Sequence, residues 1–135
     1  MSLSNTTENE ILKLLLQGAD PAWRAAANQW VALHTADPGE AGTAVTNEAT
    51  YTGYARVSLT KATDWTDGGS AFQNAAMVQF PQCTSGANTI THFSIVTTAS
   101  GAGQILMSGS LNSSLSVANG IQPQFAAGQM SIGVD

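Results

Sequence analysis

The sequence predicts an all-β fold: an antiparallel β-sandwich of jelly-roll type, preceded by a short N-terminal α-helix. Three observations predict it. Beyond residue 28 the chain breaks into short runs in which apolar and polar residues alternate. Clusters of Gly, Ser, Asn and Pro separate those runs, at 67–70, 84–88, 99–103 and 112–120. Helical spacing is confined to the first part of the chain. The expected organisation is a helical arm over 1–27 and one β-sandwich domain over 28–135.

The helix is expected over 7–17. Thr7 and Glu10 stand in the Thr-x-x-Glu pattern of a capping box. Ile11, Leu12, Leu14, Leu15 and Leu16 supply an apolar face, and Gly18 stops the helix. So short a helix is marginal in water by itself, so it must dock on its own sheet or on a neighbouring subunit. "ADPAW" (19–23) is a turn that opens a further helical turn through Arg24 to Asn28.

The strands follow. "QWVALHT" (29–35) puts Trp30, Ala32 and His34 on one face and Val31, Leu33 and Thr35 on the other. "YTGYARVSLT" (51–60) sets Ala55, Val57 and Leu59 against Tyr54, Arg56 and Ser58. "AMVQF" (76–80) stops at Pro81. "TITHFSIVTT" (89–98) places Phe93 and Ile95 opposite His92 and Ser94. "GQILMSGSL" (103–111) and "GQMSIGVD" (128–135) complete the set, the last with Met130, Ile132 and Val134 inward.

Composition narrows the function classes. The 135 residues suit one domain with a core of its own. Charged residues are 10% of the chain, against about 25% in an average soluble domain. A surface so poor in charge suits a β-protein packed against other protein. Net charge is −5, with Lys13, Arg24, Arg56 and Lys61 as the basic residues. That leaves no basic face for nucleic acid or for a membrane. The single Cys83 excludes an internal disulfide. Glu8 and Glu10 precede the N-terminal apolar stretch, where a signal peptide would carry positive charge.

Candidate chemistry is sparse. "LHTADPGEAGT" (33–43) offers His34, Asp37 and Glu40 as a catalytic loop. Asp-Pro-Gly is equally the composition of a turn, and no Gly-x-Ser-x-Gly elbow supplies a nucleophile. His34 and His92 could meet across strands and hold a metal, but they lack a ligand-spacing motif, and packed histidines are the plainer account. "DWTDGG" (64–69) has two acids before two glycines without the closing glutamate of a calcium loop, so it reads as a hairpin tip. "SGAGQ" (100–104) has no lysine and no following helix for a phosphate loop. Two Asn-x-Ser/Thr sequons carry no weight without a secretory signal. Trp23, Trp30 and Trp65 could make a platform for a sugar or a base; as strand-edge aromatics they read as core or interface anchors. Cys83 reads as an inert apolar group.

A longer pattern then emerges. "WVALHTADPGEAGT" (30–43), "NEATYTGYARVSL" (47–59), "MVQFPQ" (77–82), "TITHFSIVTTASGAGQILMSGSL" (89–111) and the terminal "GQMSIGVD" resemble a family of small virion proteins of tailed bacteriophages. The likeness runs over about residues 28–135 and is most specific at 33–42 and 91–95. Relatives are often labelled tail fibre proteins, and others resemble the small jelly-roll cement proteins of phage heads. The resemblance implies no catalytic residues.

A fibre would want a longer chain with repeats or a coiled coil. One compact sheet domain with a leucine-rich helix suits a protein that caps or bridges other subunits. The expectation is therefore a capsid cement or decoration protein on the outer head surface of the virion, made in the host cytoplasm. Its partners would be the major capsid protein and copies of itself, as homodimer or homotrimer. Ile11, Leu12, Leu14, Leu15, Leu16, Trp23 and Trp30 are the expected interface. The alternative is a tail fibre or baseplate-tip component, and a third reading is a carbohydrate-binding module. Enzymatic activity, a cofactor, a bound metal, and nucleic-acid or membrane partners are not expected.

Overall fold

The alternating runs form strands whose side chains point by turns to the two faces of a sheet, and these strands pair antiparallel. The computed structural model describes residues 2–134; Met1 and Asp135, at the outer ends of the expected arm and last strand, lie outside the described residues. The elements in chain order are β1 (Ser2–Leu3), α1 (Asn5–Gln17), α2 (Ala22–Ala25), β2 (Asn28–His34), β3 (Val57–Thr60), β4 (Trp65–Asp67), β5 (Phe72–Asn74), β6 (Val78–Gln79), β7 (Asn88–Val96), β8 (Ile105–Val117), β9 (Gln124–Phe125) and β10 (Ser131–Ile132). The fold is all-β with one substantial helix, as expected.

Five strands form the main sheet in the order β1-β8-β7-β2-β3. Its registers are antiparallel throughout, with Val31 opposite Val57 and Ile95, and Ile95 opposite Met107. The second layer is divided into a three-stranded sheet, β10-β5-β4, and a two-stranded ribbon, β6-β9. The core lies between the layers. Val31, Leu33, Phe93, Ile95 and Leu106 of the main sheet meet Val78, Phe80, Cys83 and Met130. Aromatic rings knit this core: Phe80 stacks on Tyr54, and Phe93 tilts against Phe125 at 5.8 Å between centroids. The opposite face of the main sheet carries a smaller cluster of Ala32, Ala44, Val96 and Ile105, covered by Trp30.

Several element boundaries differ from expectation. Helix α1 begins at Asn5, because Ser4 is the cap and its hydroxyl accepts from Thr7 N (3.2 Å). Thr7 is inside the helix, and its own hydroxyl donates to the Ile105 carbonyl of β8. Gly18 ends α1 in the left-handed region, φ +65°, as expected. The second helical turn spans Ala22–Ala25 and stops before Asn28, where pairing with Thr60 takes the backbone into β2. The strand expected over 51–60 is a strand only from Val57, since Tyr51–Arg56 turns sharply at Gly53. Gly53 has φ +98°, and a Cβ there would stand 2.7 Å from the Gln82 carbonyl. Strand β8 runs through residues 112–117, which their Ser and Asn content marked as a break. The last strand shrinks to Ser131–Ile132; Met130 is buried, but Val134 is exposed.

The N-terminal segment is fastened to the body. Strand β1 pairs with β8 through Leu3↔Met107, Ser4 N donates to the Leu106 carbonyl, and Asn5 N to that of Glu40. On α1, Thr7, Glu10, Ile11 and Leu14 fall on one face, at helical spacings of three and four. Thr7 is buried and the other three half-buried. Leu12, Leu15 and Leu16 fall on another face and are 54%, 72% and 80% exposed. The single apolar face read from the sequence is therefore two faces, one docked and one open.

Candidate functional site

His34 is the first residue to test. It is wholly buried near the end of β2, and both ring nitrogens are engaged. Nδ1 lies 2.8 Å from the Thr46 carbonyl, which can only accept, so Nδ1 carries the proton. Nε2, 2.7 Å from Ser94 Oγ, is then the acceptor and the hydroxyl donates. Burial holds the ring below its ordinary pKa; the Thr46 carbonyl and the charge of Glu48 oppose this, and Arg56 and His92 add to it. A neutral imidazole accepting a serine proton is the arrangement of a base and a nucleophile. Here Ser94 is itself wholly buried, so the pair is a sealed internal clip between β2 and β7. His92 sits opposite His34 in the register, but its Nδ1 bonds Thr91 Oγ1 (2.8 Å). With both nitrogens of His34 taken, the two imidazoles cannot jointly hold a metal in this arrangement.

The acidic loop after His34 is a fastening. Asp37 Oδ1 accepts from Gly39 N (2.8 Å), closing the turn, with Gly39 at φ +72°. Glu40 Oε1 accepts from Ser2 Oγ (2.6 Å), tying the loop to the N-terminal strand. At the other candidate loop, Asp67 Oδ1 accepts from Gly69 N (2.8 Å) at the tip of the β4–β5 hairpin, and Asp64 Oδ2 accepts from Thr60 N (2.6 Å). These carboxylates stabilise turns.

A polar network that the sequence reading missed lies beside His34. Glu48 takes Arg56 in a two-point grip, Nε to Oε1 at 2.6 Å and Nη2 to Oε2 at 2.9 Å. Tyr54 OH donates to the same Oε1 (2.9 Å) and accepts from Leu33 N (3.1 Å). Arg56 also reaches the carbonyls of Thr98 and Gly101. Its side chain is 2% exposed, which is rare for arginine and here fully partnered. The Glu48 contact raises its pKa further. Alternation alone set Arg56 on the face opposite Ala55, Val57 and Leu59; partners as far along the chain as Thr98 and Gly101 leave no local signal.

The tryptophans do not converge. Trp23 and Trp65 pack on the main core, and Trp30 lies on the opposite face of the sheet. Trp23 Nε1 donates to Glu10 (2.6 Å) and Trp65 Nε1 to Gln29 (3.3 Å), so both serve as packing anchors with satisfied polar ends. Lys61 covers the Trp23 ring and donates to the Trp23 carbonyl.

Among the described residues three surface features stand out. One is the open leucine face of α1. A second is an apolar groove of about 470 Å³ between the main sheet and β4–β5–β10, with Leu106 and Met107 on one side and Trp65, Phe72 and Ile132 on the other. The third is a mixed groove of similar volume beside the second half of β8. There is no assembled catalytic or metal-binding constellation among the residues expected to supply one.

Against that background the comparison with known families decides the class. The family model described as podophage GP4 fiber I protein gp80 matches residues 2–133. The chain belongs to the podophage fiber I family. It is accordingly a bacteriophage virion structural protein, the coarse class that the resemblance implied. No curated protein matches the chain. The fiber I match covers the N-terminal segment as well as the sandwich, so helix and sheet belong to one family unit.

Proposed function

We infer that this protein is a subunit of the phage tail fibre, where it serves as a structural and attachment component without enzymatic activity. The observation that carries the reading is the match over residues 2–133 to a family described as a fibre protein. That description favours the tail-fibre alternative over the capsid-cement role expected from compactness. The sequence argument against a fibre was the absence of a repeat or shaft. It loses force if the domain is one unit of a larger assembly, in which neighbouring subunits supply the length.

The surface supports a role in assembly. Leu12, Leu15 and Leu16 present an apolar stripe on a helix whose other face is fixed to the body. Each such leucine gains about 1.5–3 kcal/mol when fully buried. Copies of the chain, as a homodimer or homotrimer, and adjoining tail proteins are the proposed partners. The placement is tested by gold-labelled antibody on intact virions, with copy number from quantitative mass spectrometry. Label at the tail and a few to tens of copies are expected; label over the head with hundreds of copies would overturn the fibre reading.

A further inference from the structure

The mixed groove beside β8 has the chemistry of a ligand site. Between Ile90↔Leu115 and His92↔Ser110 the register of β7 and β8 slips, so that Thr91 alone stands opposite Leu111, Asn112, Ser113 and Ser114. Bulges of this kind bend a strand, release it from regular pairing and are enriched beside binding sites. All four released residues line the groove. Its volume, about 470 Å³, lies within the range of about 300–1,000 Å³ typical of small-ligand pockets.

The lining selects the ligand. Phe93 and Met130, both buried, and half-buried Phe125 form an apolar floor. Asn112, Ser113, Ser114, Gln124 and Gln129 are exposed around it and form a rim of amides and hydroxyls. Gln129 is braced by its Oε1, which accepts from Ala126 N (2.7 Å), and its amide nitrogen remains as a donor. The groove has no Lys, Arg, His, Asp or Glu in its lining. A phosphate, a nucleic acid or an acidic sugar would find no cation there, and a metal ion no carboxylate. A peptide adding as a strand needs a regular row of backbone donors and acceptors, which the slipped register interrupts.

We propose that this groove binds a neutral oligosaccharide. Pyranose rings present an apolar C–H face and a girdle of hydroxyls that both donate and accept. The floor of Phe93, Phe125 and Met130 matches the first, and the amide and hydroxyl rim matches the second. This deepens the fibre reading and rests on it for the site's place on the virion; the binding chemistry is read from the groove itself.

The test uses the purified full-length chain and a panel of neutral tri- to hexasaccharides built on glucose, galactose, mannose, rhamnose and N-acetylglucosamine. Calorimetry and saturation-transfer NMR report binding. At least one member should bind with a Kd below about 1 mM. The Asn112→Ala/Gln124→Ala double variant, altered only at exposed positions, should weaken it at least tenfold with an unchanged melt. Ser113→Trp, which fills the groove from its rim, should abolish it. Thr66→Ala, on β4 and outside the groove lining, should bind as the parent does. The proposal is overturned if no neutral glycan binds below about 1 mM, if binding survives Ser113→Trp, or if only charged glycans or a peptide bind. Tail labelling without glycan binding would sink this proposal and leave the fibre reading standing. Glycan binding with head labelling would do the reverse.

Discussion

Two buried polar residues set most of what single substitutions and pH can do. Arg56 is held by Glu48, Thr98 and Gly101, and removing it leaves the Glu48 carboxylate with Tyr54 alone. Breaking one side of such a buried pair typically costs about 3–5 kcal/mol. Arg56→Ala should therefore lower the melting temperature by about 10 °C or more, read by calorimetry. For pH, the sign follows from which state takes the proton. His34 has a depressed pKa in the folded chain, so below about 6.5 the unfolded chain binds a proton that the folded one resists. Stability should fall as pH drops through about 6.5, and His34→Gln should flatten the limb between about pH 5 and 7 in urea titrations. At the alkaline end Tyr51, whose OH donates to the Pro81 carbonyl, is pushed up to about 12 by burial. The folded state then resists losing that proton, so stability should decline as pH rises from about 10 toward 12. The sequence signalled that His34 lies on a sheet face and that Asp37–Gly39 turns. It could not show Ser94 or Thr46 as partners, because those contacts cross 60 and 12 positions of chain.

At the scale of elements, α1 carries the clearest test. Replacing Leu12, Leu15 and Leu16 together by Gln should leave the melt within a few degrees, since all three are exposed in the single chain. The same variant should move sedimentation-velocity profiles toward the monomer. A large loss of melting temperature, or an unchanged association state, would count against the stripe as an assembly surface. Ser4→Ala should cost about 1 kcal/mol through loss of the helix cap. The strands most legible in the sequence were β2 and β7, which are long, alternate cleanly and sit at the centre of the main sheet. Those least legible were short or irregular. Residues 51–56 have strand composition but spend it on a turn packed against the Gln82 carbonyl. Residues 112–117 have loop composition but continue β8, because the register slip absorbs the extra residues without ending the strand. That same slip shapes the mixed groove, so the groove was invisible to pattern reading for the same reason.

For the whole molecule, the boundary drawn at residue 27 is crossed by real contacts. Deleting residues 1–18 removes β1 from β8, the Thr7 bond to Ile105 and both side-chain contacts of Gln104 to the helix. Net contributions of about 1 kcal/mol per hydrogen bond make a loss of several kcal/mol the expected outcome. The truncated chain should melt at least about 10 °C lower and, with the β8 edge uncovered, aggregate in light-scattering measurements. A truncated chain that melts at the parent temperature would instead support a helical arm over 1–27 separate from the sandwich core.

The pairing of β1 with β8 also fixes an order of events during synthesis. Thr7 and its acceptor on Ile105 are separated by 98 positions. At about 5–20 residues per second, translation needs roughly 5–20 s to deliver that acceptor after the helix has emerged. Through that interval the docked face of the helix lacks its support on β8, and a segment bearing five large aliphatic residues in six positions is open to the cell. The β7–β8 hairpin can close as soon as both strands have emerged, β2 can add along β7, and β1 cannot pair until β8 has been made. A helix made early thus waits for a strand made later, so early capture of its leucines by a neighbouring nascent chain would compete with folding, and spacing between ribosomes on the message becomes a variable in the yield of native protein.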